Sequence, residues 1–540
     1  MIWYWHRLRA MGPAEMGRRV YRRVFPTKPP NWKFKFRQDH VLKSVKPDDA
    51  AVADVKRILA GDWRAFGKIP IKVNDPPRWN YDYLAGVEVP NSGKLNHREL
   101  PNGADIKLIW ELSRWYELVR LAERGAKKKC VQWLENWVEK NPPYEGPNWT
   151  SALESGIRLI HFTRIDFLLG GLQGLRQDIL PAHVWFTWKE RSFGSSANNH
   201  LLGELAGLIV ASARWAILKS LCAPIERLQA EWEREVLAQF AEDGGNREQA
   251  LNYHAFSLNL CEQTREALLA AGRTISSDVE QRLAKADEFY DLVQVRGEQW
   301  DYGDSDDAGR REIKTSPPED QWQYWPESGI ARYRSGAWDL RWDLSPLGYL
   351  KTAAHGHLDA LHLSIWWKGM AVVIDPGTGA YYGDRELRTA LAGWDAHNGP
   401  HLPGQDYPRR LGPFLWSAHH AKPAFHDLCG VLKLPQGTFT RRLIQVRSSN
   451  AWQIHDTLEP YRPFVVRWQF APGAEIQPTG KNSWRLKRQG GCFDVQVSGG
   501  HGEIGQGVVS PGFRQTAQAP FLELKTGGEA CVLRTIFLSC

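Results

Sequence analysis

Three short blocks carry side chains suited to proton transfer or metal binding. In Asn198-Asn199-His200-Leu-Leu-Gly-Glu204 an imidazole and a carboxylate stand four residues apart. On a helix they share a face, where the carboxylate can orient the ring or raise its pKa. Asn199 can donate hydrogen bonds to an anion, although Ser195, Ser196, Asn198 and Asn199 are equally the residues of a helix cap. The second block, residues 242–254, makes a tight Asp243-Gly244-Gly245-Asn246 turn and then a helix bearing Tyr253 and His254. A buried tyrosine is ordinary core unless a neighbour needs a phenolic proton. The third block, residues 351–398, holds His355, His357, Asp359, Asp375 and His397 around a strand-like apolar run. Alternation puts His355, His357 and Asp359 on one side if extended backbone begins early. Two histidines and an aspartate suit zinc, with one position left for water. Hairpin counting through a Lys368-Gly369 turn instead sets His362 opposite Asp375, so spacing leaves the ligand set open. Polar chemistry at strand ends accounts for the same residues.

These blocks need elements to hold them. From Asp105 a helical period is clear, with Leu108, Ile109, Leu112, Trp115, Tyr116 and Val119 on one face. Similar segments follow near 128–140, 150–170, 198–222, 225–242, 247–271 and 277–294. Short links between helices imply antiparallel neighbours, hence an all-helical domain. Residues 299–312 and 315–320 are polar, acidic and Pro-containing and read as a linker or exposed loop. Beyond them the period becomes two, as in 338–344, 443–447 and 464–470, which predicts antiparallel strands to the C-terminus. The first 100 residues read as a lead-in with one or two helices that packs on the body.

At 540 residues, more than one core is expected. The formal charge of +8 favours an acidic partner, whether nucleic acid, anionic lipid or anionic polysaccharide. The 26 tryptophans suit sugar rings or bases, although most Trp serve as core. With no nucleic-acid motif and no concentrated basic face, nucleic-acid binding is not expected. Seven scattered cysteines without a CxxC pair argue against a zinc ribbon and against a disulfide framework. The basic, aromatic N-terminus lacks a signal-peptide apolar run, and nothing reaches the roughly 18 apolar residues of a spanning helix. A cytoplasmic location is therefore expected, with periplasmic or membrane-peripheral placement as alternatives, because this segment also reads as a basic amphipathic helix.

In this order, NNHLLGE, then DGGN with Tyr253-His254, then HGHLD with DPGTGAYYGD and AHN resemble the heparinase II/III-like polysaccharide lyases, a superfamily that includes several alginate lyases. The resemblance covers roughly residues 105–540. It implies a multidomain α+β protein: a lead-in at 1–100, an (α/α) toroid at 101–312 and an antiparallel β-sandwich-like domain at 313–540, with the cleft between the last two. It implies Asn199, His200, Tyr253 and His355 as catalytic residues. His357, Asp375 and His397 match a largely structural metal triad, with His401 as a rival to His397. Zinc is the usual ion, with Mn2+ or Ca2+ as alternatives. Asn198, Glu204, His254, Trp149 and Trp394 are the corresponding candidates for substrate contact. The implied activity is β-elimination at a 4-linked uronate of an anionic polysaccharide. Glycosaminoglycan-like, alginate and bacterial exopolysaccharide backbones are all open. Two other readings remain: a glycoside hydrolase on the same toroid using Asp243 and Glu248, and a non-catalytic polysaccharide-binding protein of exopolysaccharide assembly.

Overall fold

The computed structural model describes residues 2–24, 29, 32–36, 51–91, 95–307, 310–447, 450–527 and 531–540. Most of 25–50, inside the expected lead-in, lies outside them. The described lead-in holds the helices Ile2–Ala10, Pro13–Val24 and Ala51–Leu59 and two short hairpins. Its Trp63, Phe66 and Trp79 share one hydrophobic core with the helices that follow, so it has no separate core of its own.

A helical region comes next. Ala152–Leu168, Asn199–Arg214 and Leu251–Ala270 lie side by side as inner helices. Each is backed by the helix that follows it: Gln173–Glu190, Ile225–Gln239 and Ser277–Val293. This is the inner-and-outer layering of an (α/α) toroid. The inner helices cross closely because glycines meet there: a Cβ on Gly207 would lie 2.3 Å from the Gly156 carbonyl oxygen. Two differences from the periodic reading have physical causes. The face from Leu108 to Val119 is continuous in sequence, but its helix breaks into Ile106–Ser113 and Tyr116–Glu123, with Trp115 at φ 67. The helix Gln173–Glu190 escapes the periodicity because Pro181 interrupts its pattern.

The C-terminal half is antiparallel β. A five-stranded meander runs from Gln321–Trp325 to Met370–Val373. A Val373–Phe470 bridge joins it to a three-stranded sheet of Val465–Gln469, Gln515–Thr526 and Gly500–Gly512. This layer packs on an eight-stranded sheet, in which Leu533–Ser539 lies between Ala451–Glu459 and Gly491–Ser498. Trp342, Trp452, Trp468 and Phe537 fill the space between them, completing a sandwich. Cys492 and Cys540 form a disulfide, a single crosslink rather than a framework.

The acidic stretch expected to be a linker is not one. Asp301, Asp304, Asp306 and Asp307 are all buried, Asp304 completely. They lie where the helical and β regions meet, and their charges are absorbed by Lys68, Lys107, Arg310 and Arg388. The regions are also pinned by Asp105. Its Oδ1 caps Ile106–Ser113 and its Oδ2 accepts the backbone N–H groups of Tyr381, Tyr382 and Gly383.

Candidate active site

A cavity of about 320 Å³ lies between the two regions. Asn198, Asn199, His200, Glu204, Tyr253 and His355 all line it, so the three blocks converge although they are far apart in sequence. Lys107, Arg114, Asp306, Tyr381 and Tyr382 complete the polar wall.

Asn198 caps the helix Asn199–Arg214, accepting the His200 N–H at 3.3 Å. Its amide donates to Glu248, as does the Asn199 amide at 2.9 and 2.8 Å. The Asn199 Oδ1 is buried without a partner. Glu248, at 3% exposure, is the counter-group to both asparagines, and burial raises its pKa. His200 sits on the same helix with its pKa lowered to about 4, chiefly by burial and by His355. The expected pairing with Glu204 does not form, because that carboxylate turns to the Ser192 N–H and hydroxyl. The ring is therefore shifted down rather than up.

Tyr253 stands in the first turn of Leu251–Ala270. Its hydroxyl accepts from the Lys107 ammonium at 3.2 Å, and its ring stacks on His355 with centroids 3.8 Å apart. Burial pushes the phenol well above its usual range. Burial alone would lower Lys107, but its partners Asp306 and Tyr253 hold it above the ordinary lysine range.

His355 and His357 leave a loop, not a strand, so alternation is not what aligns them. Asp304 aligns them: its Oδ2 accepts from His355 Nδ1 at 2.9 Å and its Oδ1 from His357 Nε2 at 3.1 Å. Arg388 grips the same carboxylate with both guanidinium nitrogens. Burial would raise the Asp304 carboxyl, but Arg388 and the two imidazoles hold it well below the usual range. The intervening Gly356 is obligatory, since a Cβ there would lie 1.6 Å from the Leu347 carbonyl oxygen.

Behind His355, ligand atoms of His357, Asp359, Asp375 and His397 lie within 4.8 Å of one another, all buried. His357 Nδ1 has no hydrogen-bond partner, and His397 Nε2 and Asp375 Oδ2 face only each other, at 3.3 Å. Each histidine uses its other nitrogen elsewhere, His357 on Asp304 and His397 on the Gly393 carbonyl at 2.8 Å. Ligand atoms this close together, one of them unpartnered and both rings held from behind, fit a bound cation. Two imidazoles and two carboxylates are a set that suits zinc. Asp359, outside the triad that the resemblance implies, is the fourth member. His401 is excluded from the set, being held by Asp395 and Gly399.

Three expected substrate contacts fall elsewhere. Trp149 packs among Trp137, His183 and Phe186 and donates to the Asn141 carbonyl. Trp394 is buried and donates to the Tyr407 carbonyl. His254, one helical step from Tyr253, accepts from the Asn246 N–H and bonds the Ala286 carbonyl. None of them lines the cavity. Asp243 does not line it either: it accepts from the Glu327 and Ser328 backbone and the Ser328 hydroxyl, docking the toroid to the first β-hairpin. With Glu248 placed behind the asparagines, the two-carboxylate arrangement of a hydrolase is not formed by that pair.

Residues 319–527 match the family model "Heparinase II/III-like, C-terminal". No curated protein sequence matches the chain. Among solved structures, heparinase III superposes with a TM-score of 0.70 at 14% identity, over 97% of this chain and 89% of that one. Another heparinase III gene product gives 0.59 at 16% identity, covering 98% and 88%. Heparan sulfate lyase HepC from Pedobacter heparinus gives 0.54 at 14% identity, covering 91% and 83%. The β region of this chain thus matches the model of a heparinase II/III-like C-terminal domain, and the whole chain, toroid included, has the fold of heparinase III.

Proposed function

We propose that the chain is a polysaccharide lyase that cleaves a 4-linked uronate in an anionic polysaccharide by β-elimination. The observation that carries this reading is a single cavity in which His200, Tyr253 bonded to Lys107, and His355 fixed by Asp304 converge. The C5 proton of a uronate is weakly acidic while its carboxylate is charged, so the site must first offset that charge. His355 lies beside the Asn199–Glu248 pair, its Nε2 3.6 Å from Glu248. A substrate carboxylate arriving there raises Glu248 further by like-charge repulsion. Uptake of a solvent proton by Glu248 would remove that repulsion and leave the Asn199 amide, now 2.8–2.9 Å from Glu248, free to donate to the substrate carboxylate. His200 takes the C5 proton, Tyr253 gives its proton to the departing O4, the C4–O4 bond breaks and a C4–C5 double bond forms. The Lys107 ammonium stabilises the phenolate left behind.

Zinc held by His357, Asp359, Asp375 and His397 would supply structure, fixing the loop that carries His355. The basic net charge fits an anionic polymer, and glycosaminoglycan-like, alginate and exopolysaccharide backbones all meet the chemical requirement. The test is incubation with a panel of uronate polymers while following ultraviolet absorbance. Unsaturated ends with at least one polymer support the reading. New reducing ends without absorbance favour hydrolysis, and tight binding with neither favours a non-catalytic binding protein.

A further inference from the structure

The helix Pro13–Val24 is attached the wrong way round for a core helix. Its polar side faces the protein: the Glu15 carboxylate is buried, accepts from the Ser195 N–H and hydroxyl at 2.9 Å, and pairs with Arg19. Arg18 lies over the Phe193 ring at 3.2 Å. Its apolar side faces out: Met16, Val20 and Val24 recur every four residues and are 37%, 61% and 61% exposed, with Tyr21 beside them at 61%. The helix Ile2–Ala10 adds Trp5 and Leu8, at 51% and 52%. An amphipathic helix normally buries this stripe, and an apolar patch left outside marks an interaction surface.

We propose that this outward face docks on an anionic lipid surface. The charge of the segment selects that occupant. Residues 1–24 contain six arginines and one acid, Glu15, and the acid is turned inward. An apolar stripe with Trp and Tyr among arginines is the composition of a helix lying in a negatively charged membrane interface. Arg7, between Trp5 and Leu8 on the helix Ile2–Ala10, points the other way, bonding Ser195 and Ser196 and lining the cavity. Docking therefore sets the rim of the cleft beside the membrane, where a polymer emerging from or anchored to it can enter. This placement does not depend on the proposed lyase activity.

The full chain is sedimented with vesicles of phosphatidylcholine alone and of phosphatidylcholine mixed with phosphatidylglycerol. Binding to the mixed vesicles is expected, weakened roughly tenfold or more by Val20→Asp/Val24→Asp. Both substitutions are on exposed positions, and an unchanged melting temperature checks that the variant folds. The proposal is overturned if wild type stays in solution with both vesicles, if it binds the uncharged vesicles equally, or if the variant binds like wild type. It is also overturned if wild type is a dimer that the variant converts to monomer, because the face then belongs to a second copy of this chain.

Discussion

Burial acts in opposite directions on the two candidate proton carriers, and both directions suit elimination. The Tyr253 phenol is pushed up, so it holds its proton at neutral pH and serves as an acid. His200 is pushed down to about 4, so it is neutral and able to accept one. Tyr253→Phe keeps the ring stack on His355 and removes only the hydroxyl. It should fold with a nearly unchanged melting temperature and lose roughly a hundred- to ten-thousand-fold in kcat; an active variant sinks the assignment of Tyr253 as acid. For His200 the sign is fixed by its depressed pKa: the basic form persists as pH falls below 6.5 and is lost near 4. The acid limb of kcat/KM should therefore lie close to 4, not near the ordinary histidine value. A pH profile of wild type beside His200→Gln checks this.

At the scale of elements, the loop 301–307 does more than join two regions. Asp304 holds His355 on the cavity side and His357 on the side of the candidate cation cluster, while Arg388 from Arg385–Leu391 neutralises it. Asp304→Asn leaves the fully buried Arg388 without its counter-charge, which should cost about 3–5 kcal/mol of stability. Thermal melting reads that loss, and a melting temperature within a degree or so of wild type argues against the clamp. The metal cluster makes a separate prediction. His357→Ala and Asp359→Asn should each lower bound zinc per chain, measured by elemental analysis, and lower the melting temperature; chelation of wild type should do the same. Wild-type protein purified without metal, and unmoved by added zinc, would falsify the zinc assignment. Asp359→Asn with full zinc content would return the set to three residues.

At the scale of the whole molecule, buried histidines set the response to acid. His161, His254 and His420 are each lowered to about 4 by burial, against 6.5 in the unfolded chain. Between those values the unfolded state binds more protons, so their contribution to stability is complete above 6.5 and is lost as pH falls toward 4. Glu111 and Asp343, raised by burial to about 7 and about 6, act in the opposite sense, but the lowered histidines, which also include His97 and His200, outnumber the raised acids. Denaturant melts at pH 7.5 and 4.5 should show a lower midpoint at the acid end.

The amino-acid sequence by itself determined the order of a helical and a β region and most of their elements, the helix Gln173–Glu190 and the break at Trp115 excepted. It also determined that Asn199, His200, Tyr253, His355 and the His357–Asp375–His397 set were worth looking at. Both are legible because hydrophobic period and residue type are local properties of the chain. Only the tertiary structure decided which atoms meet. Lys107 and Asp306 are 199 residues apart, and Lys107 reads in sequence as one charge within an apolar run. Asp304 and Asp306 read as solvent-exposed acids, because nothing near them in sequence announces Arg388 or Lys107. Trp149, Trp394 and His254 read as sugar contacts, because aromatic type does not say which way a ring faces. Periodicity assigns a side chain to a face of its own element, but pairing across elements depends on how those faces are docked. Here the docking turned an apparent linker into the carboxylate support of the candidate site.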